Sequence, residues 1–259
     1  NSSLEYISIP PSLIELKDGW CQSTIKLSQI DVSPKNPRYC CFDEKIIIGK
    51  STIDQPNYDC LLFCIRKNES FTLSITIPNF IEYISPFAFE GCVQLRSVHI
   101  SSDSKLKSIG EYAFSSTLID SISIPSEITQ IENSTFLGTP FLKRIEIPID
   151  SKLQIIKDEA LNSSKIESLT IPSHLIELSE FWCLGTNKLV NIFVSPDNQM
   201  FTLYNKMLIG KSSIEQSIYD CLVFCPRNIM SIIIPNFNEY ICSCAFCACS
   251  KLREVQFEN

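Results

Sequence analysis

The chain has 259 residues, 44% hydrophobic and 20% charged, with a formal net charge of -7. That composition supports a globular core and excludes the clustered Lys and Arg on which a nucleic-acid partner depends. The longest apolar runs, such as Leu61–Ile65 and Ile232–Ile234, are strand-sized, so no membrane insertion is expected of this segment.

Asn1 to Glu5 carries neither Met nor the charged, apolar and small-residue stretches of a secretion leader, which predicts a fragment or processed form of a longer protein. At Leu4 a unit begins that reads Leu-x-x-Ile-x-Ile-Pro and ends at Pro10. It returns at Ile30 to Ser33, Ile75 to Pro78, Val98 to Ser101, Ile122 to Pro125, Ile145 to Pro148, Leu169 to Pro172, Ile192 to Ser195, Ile232 to Pro235 and Val255 to Glu258. Successive copies are 23 or 24 residues apart, except for two steps of 45 and 40. The alternation predicts a half-buried strand, closed by a residue that cannot donate to a sheet ladder. A second apolar pair follows, such as Ile128 and Ile131, and then Ala-Phe or a substitute, as at Ala113-Phe114, where a short helical segment is expected. One such coil cannot bury its apolar face alone. The prediction is therefore an α/β solenoid, horseshoe-like, with about ten coils of parallel strands in one domain over residues 1–259.

The two long steps hold one duplicated insertion, near residues 37–70 and 198–228. Gly49-Lys50-Ser51 returns as Gly210-Lys211-Ser212, and Tyr58-Asp59-Cys60 as Tyr219-Asp220-Cys221, both displaced by 161. Each copy has two apolar runs joined by a polar connection, Lys45–Gly49 with Asp59–Ile65 and Lys206–Gly210 with Asp220–Phe224, which predicts two inserted β-hairpins that project and carry recognition. Gly49-Lys50-Ser51 mimics the end of a phosphate loop but lacks its preceding Gly and following helix.

The register of Leu-x-x-Ile-x-Ile-Pro, then an apolar pair, then Ala-Phe and Cys, resembles the BspA-like leucine-rich repeats of bacterial and protist surface proteins. The resemblance spans essentially the whole chain. The chain departs from it in lacking an Asn or Cys ladder, in having Trp20-Cys21 and Trp182-Cys183 for Ala-Phe, and in keeping the preceding Gly only at Gly110. The resemblance implies a cell-surface or secreted adhesion module that binds a host or matrix protein or a surface glycan, with no catalytic residues to carry over. A cytoplasmic, intracellular protein-interaction scaffold using the same surface is the alternative.

In each strand the Leu and both Ile positions face the core, so the residues between them line an open face. The central row reads Ser8, Asp31, Thr76, His99, Ser123, Glu146, Thr170, Phe193, Ile233 and Gln256; Arg144 lies in the row before it. The small hydroxyl residues Ser8, Thr76, Ser123 and Thr170 recur in this row and solvate a surface. Asp31, His99, Arg144, Glu146 and Phe193 are the candidate partner-binding residues, because Arg and aromatic side chains supply most interface energy and an exposed Phe has no packing reason to be there.

Cysteine offers a rival reading, since Cys242, Cys244, Cys247 and Cys249 crowd one coil and four thiols can hold zinc. Their repeat positions are filled elsewhere by ordinary residues, which favours packing thiols over a metal site. Cys60 and Cys64, and likewise Cys221 and Cys225, are spaced to share one face, and a disulfide from Cys40 or Cys41 to the opposing hairpin strand stays open. His99 and His174 are the chain's two histidines, His174 in a turn, and no nucleophile and base form a catalytic set. No cofactor motif is present. Glycosylation acceptor patterns occur at Asn1, Asn68, Asn133 and Asn162. Coils left uncapped at both ends predict further repeats in the parent protein or end-to-end self-association.

Overall fold

The computed structural model describes residues 2–66 and 73–258. The acceptor patterns beginning at Asn1 and Asn68 fall on residues outside that description.

The Leu-x-x-Ile-x-Ile units form parallel strands stacked in register. Tyr6–Ile9 pairs with Gln29–Val32, Leu73–Ile77 with Leu95–Ile100, Ser121–Ser123 with Arg144–Glu146, Ser168–Ile171 with Asn191–Val194 and Ser231–Ile234 with Glu254–Phe257. Ile122 and Ile124 are buried while Ser123 between them is exposed, as alternation along a strand requires. The second apolar pair of each coil makes a further parallel ladder of two-residue strands, such as Gln130–Ile131, Ile155–Ile156 and Glu177–Leu178. Between the two ladders the Ala-Phe positions stack. The rings of Phe89, Phe114 and Phe136 lie nearly parallel, with centroids 4.9 and 5.7 Å apart, and all three are fully buried.

The expected short helical segments are not helices: among the described residues the Ala-Phe region is a chain of turns. The reason is two left-handed residues four positions apart in each regular coil. They are Phe87 and Gly91, Tyr112 and Ser116, Ser134 and Gly138, Glu159 and Ser163, and Phe181 and Gly185, with φ between 52° and 72°. A right-handed helix cannot run through such positions. The backbone groups are satisfied laterally instead, as Phe89 N donates to Ala113 O, Phe114 N to Thr135 O and Phe136 N to Ala160 O.

The two expected hairpins are present, each extended by a third strand and packed into the solenoid instead of projecting from it. Each insert is three antiparallel strands: Tyr39–Phe42, Ile46–Gly49 and Cys60–Cys64 in the first, Phe201–Tyr204, Met207–Gly210 and Cys221–Phe224 in the second. The last strand of each pairs in parallel with the short strand of the next coil, Cys60 beside Tyr83 and Cys221 beside Tyr240. Ile46–Gly49, Met207–Gly210 and Cys221–Phe224 are buried throughout. The inserts therefore cross the solenoid as walls. Apolar residues before the first wall cluster around Ile9, Leu27 and Phe63, and those after the second around Met207, Leu222 and Ile234.

Within the walls, a bulge leaves Leu62 unpaired between Leu61 and Phe63, and Val223 between Leu222 and Phe224. The extra residue shifts the face, so Cys60 packs toward the preceding coils and Cys64 toward the following ones. The same-face expectation for each Cys pair fails for this reason. Opposite Cys40 and Cys41 stand Ile48 and Ile47, and the described cysteines form no disulfide.

Each wall is fastened by a buried asparagine. Asn36 Nδ2 donates to Pro10 O and Leu13 O at 2.7 and 2.9 Å, and its Oδ1 accepts from Arg38 N and Tyr39 N. Asn198 repeats this with Pro172 O, Leu175 O, Met200 N and Phe201 N. The phosphate-loop look-alike is a clasp as well. Ser51 N and Oγ donate to the Asp59 carboxylate at 2.7 and 2.6 Å, and Ser212 does the same to Asp220 at 2.7 and 2.5 Å. A Cβ on Gly49 would lie 2.6 Å from Leu62 Cδ1, which explains the glycine without any ligand.

Candidate binding face

The pairing register gives each of the five candidate residues a neighbour from the equivalent position of the adjacent coil. Asp31 stands beside Ser8, His99 beside Thr76, Glu146 beside Ser123 and Phe193 beside Thr170, while Arg144 stands beside Ser121 in the adjoining row. All five are exposed. Strands about 4.8 Å apart put Glu146 and Phe193 within about 10 Å of each other and His99 about 10 Å to the other side of Glu146. Asp31 is not part of that group, since the first wall lies between its strand and Leu73–Ile77 in the chain.

The chemistry of the face is mixed. Phe193 is 57% exposed, although burying a Phe is among the largest single gains a chain can make. Arg144 Nη1 reaches Glu146 Oε1 at 3.4 Å, a solvent-exposed pair that holds the two side chains together while contributing little stability. Ile233, 52% exposed at the equivalent position beyond the second wall, adds an apolar side chain outside the five candidates. Its signal was in the sequence: in Ser231-Ile232-Ile233-Ile234 alternation places the middle Ile on the open face.

Each wall turn abuts the outward row of the first long strand that follows it. Between the first turn and Leu73–Ile77 lies a notch of roughly 250 Å³, lined by Phe42, Asp43, Lys45, Ser74 and Thr76 among others. Its counterpart, roughly 190 Å³, is lined by Asn205, Met207, Ser231 and Ile233 among others. Asp43, Glu44, Asn205 and Lys206 at the turns have positive φ.

Elsewhere the rival sites dissolve into structure. His174 Nδ1 is 3.2 Å from Ser151 O and 3.0 Å from Ser173 Oγ, a turn contact. The four C-terminal thiols do not converge: Cys244 and Cys247 contact each other, whereas Cys249 points to Cys225 O and Cys242 contacts Cys221. Among the described residues no three His, Cys, Asp or Glu side chains are grouped to hold a metal ion. No helix among them is long and apolar enough to cross a membrane. Of the acceptor patterns, Asn133 is half-buried with its Nδ2 donating to Glu111 Oε1 at 3.0 Å.

Stacked coils of this length, with one exposed row of mixed polar and aromatic residues, define a leucine-rich-repeat solenoid. Residues 65–189 and 212–259 match the model of the BspA type leucine rich repeat region, in six copies. The chain belongs to that family. The solved structure of the pneumococcal vaccine antigen PcpA is similar, with a TM-score of 0.71 at 19% identity over 86% of this chain, which spans 65% of that one. A leucine rich cell surface protein from Faecalibacterium prausnitzii A2-165 is similar with a TM-score of 0.55 at 16% identity, covering 85% of this chain and 74% of that one. At such identities the likeness is one of fold. No curated protein matches the sequence.

Proposed function

We propose that the chain is a binding module of a cell-surface or secreted protein, and that the row from His99 to Phe193, with Arg144 beside it, contacts a host or matrix protein or a surface glycan. The observation that carries this reading is Phe193, 57% exposed in a row otherwise lined mainly by polar side chains on a rigid in-register sheet. Rigid sheets pre-organise an interface, because the contacting side chains lose little backbone entropy on binding. The Arg144–Glu146 pair supplies both charges at the centre and suits a polar partner more than an oily one. The family, together with relatives described as a vaccine antigen and a cell surface protein, supports a surface location.

The test is binding of the purified chain to host-cell surfaces and to immobilised matrix, with and without Arg144→Ala, Glu146→Ala and Phe193→Ala combined. The expected result is at least a tenfold loss at unchanged Tm. Equal binding by the folded triple variant would contradict the assignment of the face.

A further inference from the structure

Seven coils share a buried or half-buried position three residues after the Ala-Phe site. In five of them it is a hydroxyl residue: Thr24, Thr117, Thr139, Ser164 and Thr186. The four threonines each donate Oγ1 to the carbonyl three residues back, at 2.5 to 2.8 Å. The other two are Cys92 and Cys249, in the coils that follow the two walls. There the neighbouring chain is the wall strand, which presents Cys64 and Cys225 after its bulge. Cys64 N donates to Ala88 O and Cys225 N to Ala245 O, so both thiols enter the following coil at one equivalent place. Cys92 Sγ lies 3.9 Å from Cys64 O, and Cys249 Sγ 3.7 Å from Cys225 O. The Cys64 and Cys92 thiols also contact each other.

A buried arginine completes each place. Arg66 and Arg227 are 4% and 3% exposed, stacked over Phe63 at 4.6 Å and Phe224 at 4.3 Å. Among the described residues neither forms an ion pair with a carboxylate, and Arg66 Nε and Nη2 and Arg227 Nε meet no hydrogen-bond partner. Arg227 Nη1 is 3.5 Å from Cys249 Sγ and its Nη2 3.1 Å from Cys183 Sγ. A buried cation favours the anionic form of a thiol beside it, and the thiolate is the species that attacks disulfides. At the first place the Cys64 contact and the Arg66 guanidinium hold the Cys92 thiol below its ordinary value against the effect of burial, whereas at the second burial pushes the Cys225 thiol up to about 12.

We propose that Cys64 with Cys92, and Cys225 with Cys249, are two equivalent disulfide-forming sites, each pinning a wall to the coil after it. If the thiols only filled space, the threonine of the other coils would serve at positions 92 and 249. Cys appears there in both coils that face a wall thiol and in none of the other five. The reaction is exchange with a small external disulfide such as oxidised glutathione. The Cys92 thiolate attacks one sulfur, and the departing half takes up a proton. The Cys64 thiol then loses its proton and displaces the second half, leaving one protein disulfide and two reduced small thiols. Burial means that closure occurs late in folding, once the wall strand and its arginine have met the coil but while solvent still reaches the thiols.

The full chain, refolded from the reduced denatured state with reduced and oxidised glutathione, is alkylated and mapped as unreduced peptides. Cross-linked peptides joining Cys64 to Cys92 and Cys225 to Cys249 are expected, with a fall in Tm of roughly 5–10 °C when reductant is added. The Cys92→Ser, Cys249→Ser variant, which restores the hydroxyl of the other coils, should fold and show no response to reductant. Thirteen alkylated thiols after oxidative refolding, or bonds that join other cysteines, would overturn the proposal.

Discussion

The uninterrupted coils from Leu73 to Val194 and the two walls solve one problem in different ways. In the coils the core is built by repetition: Phe89, Phe114 and Phe136 stack coil on coil, and backbone donors such as Phe89 N, Phe114 N and Phe136 N find a carbonyl one coil away. In the walls, apolar strands buried on both faces replace that repetition, and single polar residues such as Asn36 and Asn198 hold the irregular junctions. Repetition spreads stability over many equal contacts, whereas a wall concentrates it in a few. The coils are thereby free to vary their outward row, and the candidate binding residues other than Asp31 lie on them.

The largest expected effect is in the coils. Phe114→Ala removes the middle ring of the stack and should cost about 3–5 kcal/mol, read by denaturant unfolding. A loss below about 1 kcal/mol would mean that the stack is not the organising contact. In the walls, Asn198→Ala leaves two amide donors and two carbonyls unmatched and should cost roughly 2–4 kcal/mol, with hydrogen exchange accelerated at Met200 and Phe201.

Gly110 and Gly49 sharpen the contrast. A Cβ on Gly110 would lie 2.5 Å from the Pro86 backbone N, so Gly110→Ala must push main chain and should cost about 1–3 kcal/mol. Gly49→Ala meets only the side chains of Leu62 and Tyr39, at 2.6 and 2.7 Å, and should cost less.

Acid should act on the walls before the coils. Burial opposes ionisation of Asp59, but hydrogen bonds from Ser51 and Gln55 outweigh it and hold the carboxyl below its ordinary value; Asp220 is lowered in the same way by Ser212. The stability these groups contribute is complete above the unfolded carboxylate value, about 4, and is lost as pH falls through the lower folded value. Tm measured from about pH 5 to about pH 2 should fall less for the Asp59→Asn, Asp220→Asn variant than for the parent chain. The smallest effect belongs to the exposed rungs between coils: Lys152→Ala, which removes the 2.7 Å pair with Glu127, should change stability by under about 1 kcal/mol.

The coils were legible in the sequence because each is written many times over, so strand register, core side and open row follow from the spacing alone. The walls are written twice and use the opposite rule. Ile46–Ile48 and Leu61–Ile65 read as hairpin strands, but the third strand, Tyr39–Phe42, has no apolar alternation to announce it. A single-residue bulge at Leu62 moved Cys64 to the other face, a shift that spacing cannot reveal. The missing helices have a similar cause: left-handed Tyr112, Glu159 and Phe181 are residues that seldom adopt that conformation, and lateral hydrogen bonds impose it. Alternation along the strands is enough to place the five candidate residues outward, and the same rule exposes Ile233.

The most direct test of the division between a supporting wall and a recognising face is one binding titration carried out on two variants. One replaces Arg144, Glu146 and Phe193 by Ala; the other replaces Asn205 and Lys206 at the tip of the second wall by Gly. The account expects at least a tenfold loss for the first and near-parent affinity for the second, both at unchanged Tm. Parent affinity in the first with loss in the second would contradict it and move recognition to the walls.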